Sequence, residues 1–208
     1  MTDARLLTLV QWLSPGFPVG AFSWSHGVES AIADGWIGGA GDLREWLADL
    51  LSHGSGRSDV IWLRLAADGV ADVDLARSYQ PSAERLAETD RQGAAFARLA
   101  REVWDTGTPD APLPLAVGHA AGVLRMDPEA VVPLYLSAFV ANLVTGAQRL
   151  MPLGQTDAQA TIAALHPLCL SVAAETRGRG LDDIASCAIR AEIAAMRHET
   201  LQPRLFQS

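Results

Sequence analysis

The sequence predicts an all-α fold, a single-domain bundle of roughly eight to ten helices with a flexible tail at its C-terminal end. Apolar residues recur at three- and four-residue spacing in almost every segment. Helix start and stop signals punctuate the chain at helix-length intervals. No stretch sustains the alternation of a half-buried strand.

The first repeat is Leu6, Leu7, Val10 and Leu13, closed by Ser14-Pro15-Gly16. A second helix is expected over 21–33, ended by Asp34-Gly35. Asp42 is a fitting N-cap for a third, whose Leu43, Trp46, Leu47, Leu50 and Leu51 form one apolar stripe. Val60, Ile61, Leu63 and Leu65 mark a helix over 58–67, stopped by Asp68-Gly69, and a short helix follows over 72–79. Residues 82–104 read as the longest polar-faced helix, with Ser82 as N-cap and Leu86, Gly93, Phe96, Leu99, Ala100 and Val103 on its buried side. Gly93 in mid-helix costs about 1 kcal/mol relative to alanine and suggests a close approach by another helix. The Thr/Pro-rich stretch 106–114 is a connector, followed by a helix over 115–124. Asp127-Pro128-Glu129 combines N-cap, first-turn proline and early acid, and that helix runs to Leu150. Thr156-Asp157 starts the next, and Leu181-Asp182-Asp183 opens the last, which reaches His198.

A chain of 208 residues, 49% hydrophobic and 19% charged, can bury a large core and is not a disordered segment. Its net charge of −8 offers no basic stripe to neutralise phosphates, so nucleic acid is not an expected partner. All 16 basic residues are arginine, which excludes Schiff-base chemistry, a P-loop lysine and a Ser-Lys dyad. Cys169 and Cys187 are expected to be buried free thiols. The opening Met1-Thr2-Asp3-Ala4-Arg5 mixes charges and is not a signal peptide, so a cytoplasmic location is expected. The apolar stretches 130–148 and 158–174 approach membrane-spanning length, but both carry internal polar residues and proline. They are expected to be central helices of the bundle rather than membrane spans.

The most informative segment is 14–30, where a turn stiffened by Pro15 and Pro18 runs into Gly20 and a hydroxyl-rich helix start. It has a distinctive shape and carries no visible chemistry, which points to an interaction protein. Pro18-Val19-Gly20-Ala21-Phe22-Ser23, then Gly27, Glu29 and Gly35-Trp36, resembles the N-terminal signature of the urease accessory protein UreF family. Three further blocks agree, in the family's order: Arg91-Gln92-Gly93, Arg149-Leu150-Met151-Pro152-Leu153-Gly154-Gln155, and Met196-Arg197-His198-Glu199-Thr200 with Arg204-Leu205-Phe206-Gln207-Ser208. The chain departs from the pattern at Leu201-Gln202-Pro203, where the family carries a Gln-Tyr pair, and at Trp24 and His26, where Tyr and Gln are commoner.

The resemblance implies a non-catalytic, all-α accessory protein that dimerises. It further implies partners: UreD (also called UreH), the GTPase UreG and, through that complex, apo-urease, to which the assembly delivers nickel. The protein would bias the GTPase through differential binding. No catalytic residue, metal ligand or cofactor of its own is expected. The partner-binding residues implied are Pro18, Gly20, Phe22, Ser23, Glu29, Arg149 and Gln155, for dimer or GTPase-facing surfaces. Arg197, His198, Glu199, Arg204, Leu205 and Phe206 would dock on UreD.

The residues themselves admit other readings. Ser23 and His26, at i, i+3 on a helix, suggest a small hydrolase, although helix-capping hydroxyls and a surface histidine explain them as well. The five histidines are dispersed, with Glu29 and Glu199 as ordinary helix-face neighbours of His26 and His198, so a helical nickel-binding carrier has little support. The glycines of 35–41 follow a helix and lack the Lys-Ser/Thr of a phosphate loop. The tail 196–208 presents Leu201, Leu205 and Phe206 flanked by Arg197 and Arg204. It suits either a segment packed on its own domain or a peptide that docks on a partner, and the resemblance favours docking. Arg149 at a helix C-terminus favours the dipole and, by the motif match, also suits a partner contact.

Overall fold

The computed structural model describes residues 3–208, so Met1 and Thr2 of the N-terminal reading lie outside the described residues. Ten α-helices make up the described chain: α1 (Asp3–Trp12), α2 (Val28–Ala33), α3 (Ala40–His53), α4 (Ser55–Ala67), α5 (Val73–Ser78), α6 (Ala83–Trp104), α7 (Leu113–Val123), α8 (Pro128–Leu150), α9 (Gln155–Glu175) and α10 (Ile189–His198). Single 3-10 turns stand at Ala21–Ser23 and Leu181–Asp183, and the described residues contain no strand.

The start signals act as their chemistry suggests. The carboxylate of Asp72, the hydroxyl of Ser82 and the carboxylate of Asp127 accept backbone N–H bonds from Leu75, Arg85 and Glu129. Asp42 behaves differently. Its carboxylate accepts from Gly38 N at 2.9 Å and pins the preceding turn, and α3 begins two residues before it.

Four consecutive residues of α4, Val60 to Leu63, are fully buried, so this helix is enclosed on every side. It packs on α7, α3 and α8, while α6 lies against α7 and α8 against α9. At Gly93 an added Cβ would sit 1.9 Å from Ala111 O and 2.7 Å from Leu113 N. The expected close approach is therefore made by the connector backbone entering α7, not by another helix. In α1 the buried residues are Leu9 and Trp12, whereas Leu6, Leu7 and Val10 of the expected stripe face outward. Trp12 sets this rotation, standing edge-on to Phe96 at 5.1 Å and to Trp104 at 5.5 Å.

Two expected helices are interrupted. The helix over 21–33 exists only as a 3-10 turn and α2, because Trp24 is extended and His26 and Gly27 take left-handed φ of 57° and 80°. The last helix opens at Ile189 rather than Leu181. Residues 184–188 form no regular element; Cys187 N bonds His53 O at 2.8 Å, and just before them Arg57 Nη1 donates to Asp183 O at 2.8 Å. Cys169 is a buried free thiol and Cys187 an exposed one, contrary to its expected burial. Helix α8 is long and apolar enough to cross a membrane, and half of its most apolar window is buried within the bundle.

Candidate partner-docking site

The segment after α1 is shaped by proline and glycine. Phe17 tucks its ring against Phe96 and Trp104, leaving Pro18 exposed on the outside of the turn. Gly20, at φ 77°, starts the 3-10 turn, and Ser23 Oγ closes it by donating to Gly20 O at 2.8 Å. This turn pushes Phe22 outward, 73% exposed, while the next aromatic, Trp24, folds inward. Helix α8 fixes the turn from behind. Asn142 Nδ2 donates to Ala21 O at 3.3 Å, and Arg149 Nη1 donates to Phe22 O at 2.7 Å.

The tail returns to this place. Gln207 N donates to Ser23 O at 2.9 Å and Ser25 N to Ser208 O at 2.8 Å, so the tail pairs with the extended stretch around Trp24. Phe206 is 3% exposed, its ring under the Arg149 guanidinium at 4.3 Å. Arg91 donates to Gln207 Oε1 at 2.9 Å and lies over the Trp24 ring. The terminal segment is thus tied to its own domain. Of its apolar residues, Phe206 is buried and Leu205 is 55% exposed.

Glu29 organises the attachment. Its carboxylate accepts from Leu205 N at 2.6 Å, Phe206 N at 2.8 Å and His198 Nε2 at 3.0 Å. On the other side of His198, Nδ1 lies 2.7 Å from Glu84 Oε2, and Arg204 pairs with the same carboxylate. Gly27 makes room for this geometry, since a Cβ there would meet Ala195 N of α10 at 2.9 Å. Beneath lies a second buried charge group. Ser208 Oγ donates to Glu88 Oε2 at 2.8 Å, and Arg85 forms an ion pair with the same carboxylate.

Burial disfavours the charged form of each acid in this second group, and Arg85 works against that penalty. At Glu88 burial is the largest single influence and alone would raise the pKa, but Arg85 and His26 together outweigh it and hold the carboxyl down at about 2. At Asp59, whose Oδ2 accepts from Tyr135 at 3.2 Å, burial prevails and raises the pKa to about 6. His26 is pushed down to about 4, first by burial and then by Arg85.

His26 was expected on the surface; it is buried instead. Its Nε2 lies 2.6 Å from Ser55 Oγ on a cavity of about 40 Å³, whereas Ser23 bonds backbone. The Ser23–His26 pair of the hydrolase reading is therefore not formed, because the helix that would align the two is broken between them. The ring is neutral and weakly basic at pH 7, and its Nδ1 is unbonded, 3.8 Å from Glu88. Among the described residues no three His, Cys, Asp or Glu side chains converge as metal ligands.

The fold brings Gly20, Phe22, Ser23, Glu29, Arg149, His198, Arg204, Leu205 and Phe206 into one cluster. The remaining expected residues lie apart from it. Pro18 borders a hollow with Leu99, Val103 and Trp104, and Gln155 is exposed at the start of α9. Arg197 faces outward onto Asp34 at 2.6 Å and the Trp36 ring, and Glu199 accepts from Ala83 N at 3.0 Å at the start of α6. Glu29 and Glu199 are not the helix-face neighbours of His26 and His198 that the spacing suggested; Glu29 bonds His198, 169 residues away. Sequence reasoning gave Glu84, Arg85 and Glu88 no role at the site. Their only local signal is an unusual density of charge on the first two turns of a helix that also carries Leu86.

In this all-helical protein, buried charges and the tail residues fix the shape of a backbone turn that exposes one aromatic side chain, Phe22. Comparison with known proteins identifies its family. The UreF family model matches residues 37–166. Urease accessory protein UreF of Cereibacter sphaeroides is 51% identical over 99% of this chain and 100% of its own length. The proteins of the same name from Roseobacter denitrificans and Ruegeria sp. are 45% and 44% identical over the whole of this chain. The chain belongs to the UreF family of urease accessory proteins.

Proposed function

We propose that this protein is a non-catalytic scaffold for urease maturation in the cytoplasm. It binds UreD (UreH), recruits and regulates the GTPase UreG, and so promotes nickel insertion into apo-urease, working as a homodimer. The observation that carries the reading is the end-to-end match to urease accessory proteins, which includes both the 18–30 turn and the tail outside the family-model segment. The site geometry supports it. Phe22 and Leu205 are large apolar side chains held outward on a rigid backbone, the arrangement of an interface anchor. The tail residues 197–206 are proposed to meet UreD. The turn 18–29 and the stretch 149–155, joined through Arg149, are proposed to shape the dimer or GTPase-facing surface.

The test is co-expression with the UreD and UreG proteins of the same genome, followed by affinity capture and size-exclusion chromatography. A stable co-eluting complex is expected. Leu205→Glu is expected to abolish UreD capture, and Phe22→Ala to weaken dimer or UreG retention, with unchanged circular dichroism in both. A lone species retaining neither partner would refute the scaffold reading. Full capture by Leu205→Glu would remove the tail from the interface.

A further inference from the structure

His198 sits in a cage of charge. It is fully buried (0% exposed), with Glu29 of α2 at one ring nitrogen and Glu84 of α6 at the other, at 3.0 and 2.7 Å. An ionised carboxylate only accepts, and a neutral imidazole has one N–H and one bare lone pair. A neutral ring would turn that lone pair onto a carboxylate oxygen on one side or the other. A ring carrying protons on both nitrogens satisfies both.

The charge balance agrees. With both protons, His198 and Arg204 offset Glu29 and Glu84; with one, the cage keeps an uncompensated buried negative charge. The neighbouring charged groups are otherwise engaged. Arg197 is turned out to Asp34, Glu199 accepts from Ala83 N, and Arg85 and Glu88 are closed on each other. The same two carboxylates hold the tail, Glu29 through Leu205 N and Phe206 N and Glu84 through Arg204.

We infer that His198 is a proton-dependent latch on the tail. Doubly protonated, it fixes both carboxylates where they receive residues 204–206. Loss of one proton expels one carboxylate and frees the segment that ends at Ser208. The docked state therefore binds one more proton than the released state, and the hold on the tail weakens as pH rises. This rests on the cage geometry and is independent of which partner meets the tail.

The test uses the full chain in two measurements between about pH 5 and 9, the span over which histidine charge is usually adjustable. Nitrogen-detected NMR of the His198 ring reads its proton count, and hydrogen exchange, corrected for intrinsic rates, reads the Leu205 and Phe206 amides. Both ring nitrogens are expected to be protonated while the amides are protected. Once the ring loses a proton, protection should fall with a limiting slope of about tenfold per pH unit. Glu84→Gln supplies a group that can donate to a bare ring nitrogen, so its protection should become independent of pH. Three results would overturn the latch: a singly protonated ring beneath protected amides, pH-independent protection in the native chain, or an unchanged slope in Glu84→Gln.

Discussion

Replacing Glu29 by glutamine tests whether this carboxylate fixes the tail. Three donors converge on its two oxygens: the N–H groups of Leu205 and Phe206 and the His198 ring. Glutamine keeps the shape but has one oxygen, and its NH₂ must face one of those donors. A buried donor left unmatched costs about 1–3 kcal/mol, and each bond that survives loses the extra strength of an ionised acceptor, about 1 kcal/mol. These effects overlap, so the sum is about 3 kcal/mol, or roughly a hundredfold in the docking equilibrium of the tail. The loss should be local, because α2, which carries Glu29, packs chiefly on α10 and α8 rather than on the enclosed helix α4. Hydrogen exchange at residues 204–208 should therefore accelerate about a hundredfold while protection in α4 and the far-ultraviolet dichroism stay as in the native protein. A change below about threefold, under 1 kcal/mol, would refute the reasoning.

Asp59→Asn should stabilise the protein in mildly alkaline solution and leave it unchanged in acid. Burial raises the Asp59 pKa from 3.8 to about 6, so its unfavourable ionisation is absent below the unfolded value and sets in as pH climbs through the folded one. Chemical denaturation at pH 8 should show a gain of up to about 3 kcal/mol that vanishes by about pH 4, the Tyr135 bond being kept by the amide oxygen. Gly93→Ala should lose 3 kcal/mol or more, since the added methyl meets backbone at 1.9 Å, and a melting temperature within about 2 °C of native would contradict the packing. Arg149→Ala removes both the cover on the Phe206 ring and the bond to Phe22 O. Tail exchange should quicken about tenfold, from the loss of 1–2 kcal/mol, and unchanged exchange would show the arginine to be a bystander to the tail.

The helices were legible because their signals are local. Ser82 and Asp127 cap the helices that their spacing announced, and the stripe from Leu43 to Leu51 is buried as its period required. Errors arose where a distant contact overrides local preference. The apolar residues of 21–33 suit a helix, but Ser23 and Ser25 give their backbone bonds to Gln207 and Ser208, and Gly27 yields to the α10 backbone. The spacing of Leu6, Leu7, Val10 and Leu13 announces α1, but of these four only Leu13 packs on the core, the buried residues being Leu9 and Trp12. Indole packing against Phe96 and Trp104 decides the rotation.

The candidate site shows the same division. The motif blocks around Phe22, Arg149 and Phe206 could be picked out singly, but nothing in their sequence spacing says that they touch. The structure joins them through one arginine, whose Nη1 takes Phe22 O while its plane covers Phe206. That junction also changes what a tail deletion would mean. Removing residues 197–208 takes away a proposed docking peptide, and it also strips the partners from Glu29, Glu84 and Glu88 and the backbone pairing from Ser23 and Ser25. Loss of binding after such a deletion would therefore not locate the interface. Leu205→Glu can, because Leu205 lends the fold its backbone N–H while its side chain faces solvent.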